Sequence, residues 1–474
     1  MESESMLTYL DRAKPSTRYW MSYAIICSGF VLDFYDFFIV GFLLAVVGPA
    51  WHLTYGEASW ILLAGGLGAI VGSLFFGALS DKFGRKRVYI ASTVLCSLAA
   101  GSIALIPDGD WVLFALIRVV VGIGLGGIAT IQIVLLGELT PTPYRVKVTG
   151  FPLMGPSGGT LLAAFTTAAL IATFGWRGVA LLGLFPLVLA VLTFIVMPES
   201  PRWLVANQRP EAARRGVAAL AGAPLNEVPT ETGAIVRPPR ASLLELLHKP
   251  GRFFLVIAVW ISIATCNYAV YLWGPTISAI LLNITVAQAA KYFVYVSLFG
   301  ILGRFLFSII PSYIGRRRSG QLIGVGLIAT FGLAAILHDD FYAGMSMFIV
   351  MIALNALFND GCFSTLSPYT AEIFPVRLMA RGLGLAQAAN GIGKVLGPYI
   401  LAVIAGTHKL VSRQATEAAI VPTFLFLVGC GVVVLVCHLF FAPETLGCVL
   451  ALDDEETLEA TAAARSGRNL SAAN

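Results

Sequence analysis

Charge is what this chain has least of. Only 12% of its 474 residues are Asp, Glu, Lys or Arg, while 58% are hydrophobic, and the mean hydropathy is +0.84. A soluble domain solvates its surface with about 25% charged residues. The surplus apolar surface here must therefore face lipid. Histidine is scarce too: there are five, none clustered. No His-Glu-x-x-His, Gly-x-Ser-x-Gly or phosphate-loop pattern occurs, so a membrane enzyme lacks its reactive constellation. The seven cysteines (27, 96, 266, 362, 430, 437, 448) offer neither a disulfide framework nor a zinc site. No metal, cofactor or nucleic acid is expected. No cleavable signal is visible either, because the first apolar stretch follows a polar one and carries Asp33 and Asp36. A receptor would need an added signalling domain, and no segment is long or complex enough to supply one.

What is abundant is apolar sequence in lengths that cross a bilayer, about 20 residues each. Twelve stretches qualify: 20–48, 57–80, 88–107, 111–138, 148–173, 177–197, 253–282, 289–311, 320–337, 341–367, 382–405 and 421–442. Lysine and arginine set the orientation. Of 31, the segments on one side hold 24, the opposite loops hold four (Arg177, Lys291, Lys409, Arg413), and Arg118, Arg304 and Lys394 fall inside spans. The positive-inside rule then puts both termini in the cytoplasm, which requires an even number of crossings.

The chain is duplicated. Gly84-Arg85-Lys86-Arg87 follows span 2 and Gly315-Arg316-Arg317-Arg318 follows span 8; Glu138-Leu-Thr-Pro141 follows span 4 and Glu372-Ile-Phe-Pro375 follows span 10. Pro198-Glu199-Ser200 closes span 6 and Pro443-Glu444-Thr445 closes span 12. Three pairs in register indicate two related halves, the architecture of alternating access. The expected organisation is a cytoplasmic N-terminus (1–19), a six-helix bundle (20–204), a cytoplasmic linker (205–250), a second bundle (251–447) and a cytoplasmic tail (448–474). The linker is charged and Pro-rich at Val236–Arg240, with amphipathic pieces at Glu211–Ala219 and Ser242–Leu247. An acidic run, Asp453–Glu456, opens a tail of disordered composition.

Gly77-Ala-Leu-Ser-Asp81-Lys-Phe-Gly84-Arg85-Lys86 resembles the loop signature of major facilitator carriers. Pro198–Leu204, Tyr369–Pro375 and Pro443–Gly447 resemble the sugar-porter and metabolite:proton symporter branches. The resemblance implies an all-α membrane protein of major facilitator fold, with twelve helices in two pseudo-symmetric bundles, in a bacterial inner membrane. A monomer working on a small-molecule substrate and protons is expected.

In that family the loop after span 2 latches the halves together, which assigns gating roles to Asp81, Gly84, Arg85 and Lys86. Positive-inside topology alone is the simpler account of the basic residues. Ser312 stands where the second copy should have its acid. Glu138 with Arg145, and Glu372 with Arg377, resemble the sugar-porter charge network, with Met379 in place of a further arginine.

Asp33 and Asp36, three apart, share a helix face inside span 1. An ionised acid at mid-bilayer costs about 2.5–3.5 kcal/mol even on lenient scales. Two such acids suit a proton carrier; a static salt bridge is the structural alternative. Their spacing resembles the Asp-Gly-x-Asp signature of aromatic-acid:proton symporters, with Phe34 in place of glycine. Arg118 in span 4, at similar depth, is the expected partner. Gly122-Ile-Gly124-Leu-Gly126-Gly127 matches the dinucleotide fingerprint but follows no strand, so it reads as close helix packing in lipid. Gly155–Gly159 reads similarly, or as a flexible point.

In the second half, Arg304 and Asp360 lie about 10 Å from one membrane surface and can pair. Lys394 is nearer mid-bilayer, with Asn390 one turn away. Its place before Gly397-Pro398 resembles the cationic position of organic-anion carriers. Tyr35 and Tyr268 are candidate aromatic walls, although packing explains single aromatics equally well. The expected function is proton-coupled symport of a small organic anion, aromatic or another monocarboxylate. A sugar or polyol carrier is the rival, although only Gln132 and Gln387 lie within spans. A drug exporter ranks behind both.

Overall fold

A computed structural model describes residues 5–232 and 243–447. Val236–Arg240, Ser242, Cys448 and Asp453–Glu456 lie outside the described residues, as do the side chains of a few others, Arg377 among them. Nearly everything described is helix. The long helices are α1 Thr17–Ala50, α2 Tyr55–Phe83, α3 Arg85–Ser102, α4 Trp111–Leu139, α5 Gly155–Leu181, α6 Pro186–Val196, α7 Pro250–Leu281, α8 Val286–Ile309, α9 Arg316–Ile336, α10 Met347–Glu372, α11 Val376–Ala405 and α12 Arg413–Phe440. Their starts follow local chemistry. Ser16 and Asp110 accept from the first-turn amides of α1 and α4, and Thr54 with Glu57 closes a capping box on α2.

Eleven described helical stretches are long and apolar enough to cross a membrane. The longest, Gly155–Val196, contains two of the expected spans. Its first part runs along α1, with Gly155 on Phe30 and Gly159 on Phe34 and Tyr35. Gly175, at φ 64° and ψ −176°, then breaks the helix, and Arg177 reaches Asp108 at 3.0 Å. The returning part runs antiparallel to α3, with Gly183 against Ala100 and Phe194 against Lys86. Twelve crossings result. Gly155–Gly159 is regular helix packed on α1, which favours the packing account over a flexible point.

By contacts the chain divides into two compact units. The first comprises Met1–Val236 with Tyr271–Val294 and Gly406–Ala415. Those two later segments are tied in by Tyr55 N donating to Lys409 O (2.9 Å), Val411 N to Leu53 O (2.9 Å), and the Tyr55 and Trp273 rings 5.2 Å apart. The centre of this unit is the α2–α4 seam. A Cβ on Gly122 or Gly126 would strike the Gly65 or Ala69 carbonyl, and one on Gly68 or Gly72 would strike Val119 or Ile123. Small residues on both sides let the backbones touch, which is how helices gain dispersion energy where lipid supplies no hydrophobic drive. Gly124 meets Cys96 and Gly127 meets Phe76, so the apparent nucleotide fingerprint is spent on packing. Outward faces carry exposed Leu74, Leu105 and Phe194, as lipid contact requires. After α6 come helices Pro201–Ala206 and Pro210–Ala221. The second buries Ala213, Val217 and Leu220, the amphipathic pattern its sequence shows.

The second unit comprises Arg237–Val270, Tyr295–Ala405 and Thr416–Asn474. Gly303 packs on the Leu357 backbone, and Gly393 and Gly397 bring α11 against residues 261–269 of α7. A two-stranded hairpin, Phe341–Tyr342 with Met345–Ser346, joins α9 to α10. Its Ala343-Gly344 turn has φ of 50° and 78°, the primed geometry that suits strand twist. Six described cysteines are buried and free.

Candidate functional site

Each unit buries a polar cluster that includes ionisable residues. In the first, α1 presents Asp36, 1% exposed, to α3 and α4. Its Oδ2 accepts from the Cys96 thiol at 3.8 Å, while Oδ1 has no hydrogen-bond partner among the described residues. Asp33, half-buried one turn earlier, feels the same side: both acids are in electrostatic reach of Cys96, and Asp33 of Tyr89. Both therefore face α3, as their spacing implies. Tyr35 is buried against α5, near Thr166. Below the acids, Gln132 Nε2 donates to Tyr89 Oη (3.4 Å), and Gly29 leaves the room for both.

Arg118 is 1% exposed and lies where its sequence position puts it, but it pairs differently. Nη1 donates to the backbone carbonyl of Asp36 (3.0 Å) and Nη2 to that of Phe37 (3.3 Å). The expected carboxylate–guanidinium contact is thus replaced by a grip on α1 itself. Gly65 makes the grip possible, since a Cβ there would lie 3.0 Å from Nη2.

In the second unit, Arg304 Nη2 meets Asp360 Oδ1 at 3.5 Å, both buried, which is the expected pair. Asn267 adds a bond to the same oxygen (3.1 Å) and one to Asn359 (3.5 Å), and the guanidinium lies 5.3 Å from the Phe363 ring centroid. Tyr268 links this group to α11. Its phenol is in electrostatic reach of Arg304 and Asp360 and in contact with Asn390, and Lys394 Nζ sits 5.5 Å from its ring centroid. Lys394 and Asn390 are both partly accessible. Sequence reading missed Asn267, Asn359 and Phe363. The available signal was Asn359 beside Asp360, and Asn267 beside Tyr268, in otherwise apolar runs.

At the basic end of each unit the duplicated motifs do the same job twice. Gly84 (φ 103°) and Gly315 (φ 93°) turn the chain with positive φ, and a Cβ on either would collide with Glu199 or Glu444. Those glutamates cap the next helix: Glu199 accepts from Lys86 N (2.9 Å), and Glu444 from Arg316 N (2.8 Å) and Arg317 N (3.3 Å). Arg85 then bridges Asp81 (2.9 Å) and Glu138 (3.4 Å), as Arg316 bridges Glu372 (2.8 Å). Ser312, in place of the second acid, donates to Ile309 O at the end of α8. One expectation is corrected, and a second lies outside the described residues. Glu138 is held by Arg85, while Arg145 meets Asp11 (2.9 Å), which also takes Arg202 (2.6 Å). Glu372 is held by Arg316 and Thr445, and the Arg377 side chain lies outside the described residues. Lys86 donates to the Phe194 carbonyl (2.8 Å) rather than to a carboxylate.

Twelve crossings, duplicated basic turns and a buried cluster of ionisable residues in each unit define a major facilitator membrane transporter. The chain belongs to the sugar (and other) transporter family, whose model matches residues 20–455. It is 26% identical to the niacin transporter NiaP of Acinetobacter baylyi over 86% of this chain and 91% of that protein. It is 25% identical to the 4-hydroxybenzoate transporter PcaK of Pseudomonas aeruginosa over 88% of this chain and 94% of that one. Among solved structures, the partially occluded inward-open xylose transporter XylE from E. coli superposes with a TM-score of 0.69, at 20% identity, over 92% of this chain and all of that one. The protein is a multi-pass membrane transporter and not an enzyme, and its bacterial relatives accord with an inner-membrane location.

Proposed function

We propose that the protein is a proton-coupled symporter of a small organic anion, an aromatic or other monocarboxylate, working by alternating access. The observation that carries this reading is the convergence on Tyr268 of Lys394, Asn390 and the Arg304–Asp360 pair. A ring, a cation and an amide at one place suit an aromatic carboxylate. The ring stacks, the ammonium takes the carboxylate, and the amide donates beside it. The named relatives move niacin and 4-hydroxybenzoate, both aromatic acids, which supports the same class.

In this reading Asp36, with Asp33, carries the proton. Two bundles joined by the linker open alternately, both termini face the cytoplasm, and the Asp81–Arg85–Glu138 network latches the closed cytoplasmic state. The test is uptake into proteoliposomes under an imposed pH gradient. Labelled nicotinate and 4-hydroxybenzoate should accumulate and nicotinamide should not. Accumulation of xylose but neither acid would overturn the assignment.

A further inference from the structure

We propose that a cationic cavity beside α6 binds the phosphate headgroup of an anionic phospholipid from the adjoining leaflet. The cavity, ≈ 510 Å³, lies within the first unit, where α1, α3 and α6 meet the helix Pro210–Ala221. Five cations line it, Arg18, Lys86, Arg87, Arg209 and Arg215, against a single acid, Glu199. That acid is already engaged, because its Oε1 accepts from the backbone amides of Lys86 and Ser200.

The cations are arranged around the space rather than neutralised. Arg18 Nε donates to Val196 O and Lys86 Nζ to Phe194 O, both at 2.8 Å, so each is anchored on the last turn of α6. Arg209 lies 5.9 Å from the Trp203 ring centroid. Arg87 and Arg215 are exposed, and among the described residues neither meets a carboxylate; Arg215 reaches back only to Glu211 O at 3.4 Å. Such a concavity concentrates positive potential and favours a multiply hydrogen-bonded anion, for which phosphate oxygens are the fitting acceptors.

Phosphate arrives either free or on a lipid, and the walls favour the lipid. Phe194 lines the cavity and is 71% exposed, and Val191 (57%) and Ile195 (63%) continue the same lipid-facing surface. Trp20 and Met21, just beyond Arg18, are exposed apolar groups at the same level. A headgroup seated among the arginines leaves its acyl chains on that surface, as in other basic pockets between membrane helices. The anion would also tie Arg215 of the linker helix to Arg87 of α3, so that lipid composition sets how firmly the linker holds to the bundle.

The experiment uses the purified full chain in neutral detergent, read by thermal shift and by native mass spectrometry. The probes are short-chain phosphatidylglycerol, cardiolipin, phosphatidylcholine, glycerol 3-phosphate and inorganic phosphate. Phosphatidylglycerol and cardiolipin should raise Tm and remain bound, while the other three should not. Arg87→Gln and Arg215→Gln, single changes at exposed side chains, should each weaken binding about fivefold. Lys82→Gln, an exposed cation outside the cavity, should change nothing. Equal binding by wild type and both arginine variants would overturn the proposal. So would an equal loss in Lys82→Gln, or a full shift with inorganic phosphate alone.

Discussion

Arg118 holds Asp36 by its backbone, donating to the carbonyl oxygen at 3.0 Å and leaving the carboxylate to Cys96 at 3.8 Å. The guanidinium is therefore fixed whichever protonation state the carboxyl adopts. Its hold on α1 does not depend on the charge of that carboxyl. A direct ion pair would have had to break each time the proton bound.

The first prediction follows from that separation. Asp36→Asn keeps the shape and the backbone grip but removes the titrating group. Proton-driven accumulation should fall to the level of passive exchange, while counterflow of substrate persists. Thermal stability in the absence of substrate should be unchanged or higher, because a buried carboxyl with one unbonded oxygen is costly. Asp33→Asn should reduce accumulation in the same direction. Uphill uptake at wild-type level in both variants would remove these acids from the coupling step.

A second prediction concerns the space beside Arg118. Gly65→Ala places a methyl about 3.0 Å from Nη2, on a helix packed backbone to backbone against α4. Overpacking of this kind costs about 1–3 kcal/mol. Transport should drop along with Tm. A second-site Arg118→Lys change should not restore transport, because an ammonium cannot span both carbonyls as the fork does.

How far the sequence could be read depends on what kind of information each feature needs. Spans needed only length and hydropathy, and even the turn between the fifth and sixth crossings lies at Gly175, between the expected ends 173 and 177. The duplicated turns were visible as repeated Gly-Arg and Pro-Glu pairs, yet their joint role was not. Glu199 caps α3 across 113 residues of chain, and no local pattern encodes that. Depth along a helix located Arg118 and Asp36 at one level. It could not say whether the guanidinium would choose a carboxylate or two carbonyls, since that depends on the clearance Gly65 provides. Arg145 was matched to Glu138 by motif, but the chain supplies Asp11 from 134 residues away.

The third prediction tests the duplicated turns against each other. Gly84→Ala and Gly315→Ala each force a side chain into positive φ and against a capping glutamate. Strain of this type costs about 1–3 kcal/mol. Both variants should lose thermal stability by similar amounts if the two halves use the turn alike. Glu199→Gln and Glu444→Gln should cost less, because an amide oxygen still accepts from the helix N-terminus and only the charge is lost. If Gly315→Ala leaves Tm untouched, the second turn is not held as the first one is.

The last prediction addresses substrate charge at Lys394. Its ammonium faces Tyr268, with Asn390 on the same phenol and the Arg304–Asp360 pair in electrostatic reach of the ring. If the ligand is a carboxylate, Lys394→Ala removes a charge-assisted bond worth about 1.5–3 kcal/mol, or roughly 10- to 150-fold in affinity. The amide analogue of the same ring makes no such bond, so its weak binding should hardly change. Lys394→Arg should keep part of the affinity but prefer smaller rings, since the longer fork occupies space above Tyr268. Asn390→Ala should weaken acid and amide about equally, because its hydrogen bond does not depend on ligand charge. The comparison is a full series of variant against ligand, measured by displacement of a bound acid. An equal loss for acid and amide in Lys394→Ala would make Lys394 a packing residue and return the neutral-substrate reading to first place.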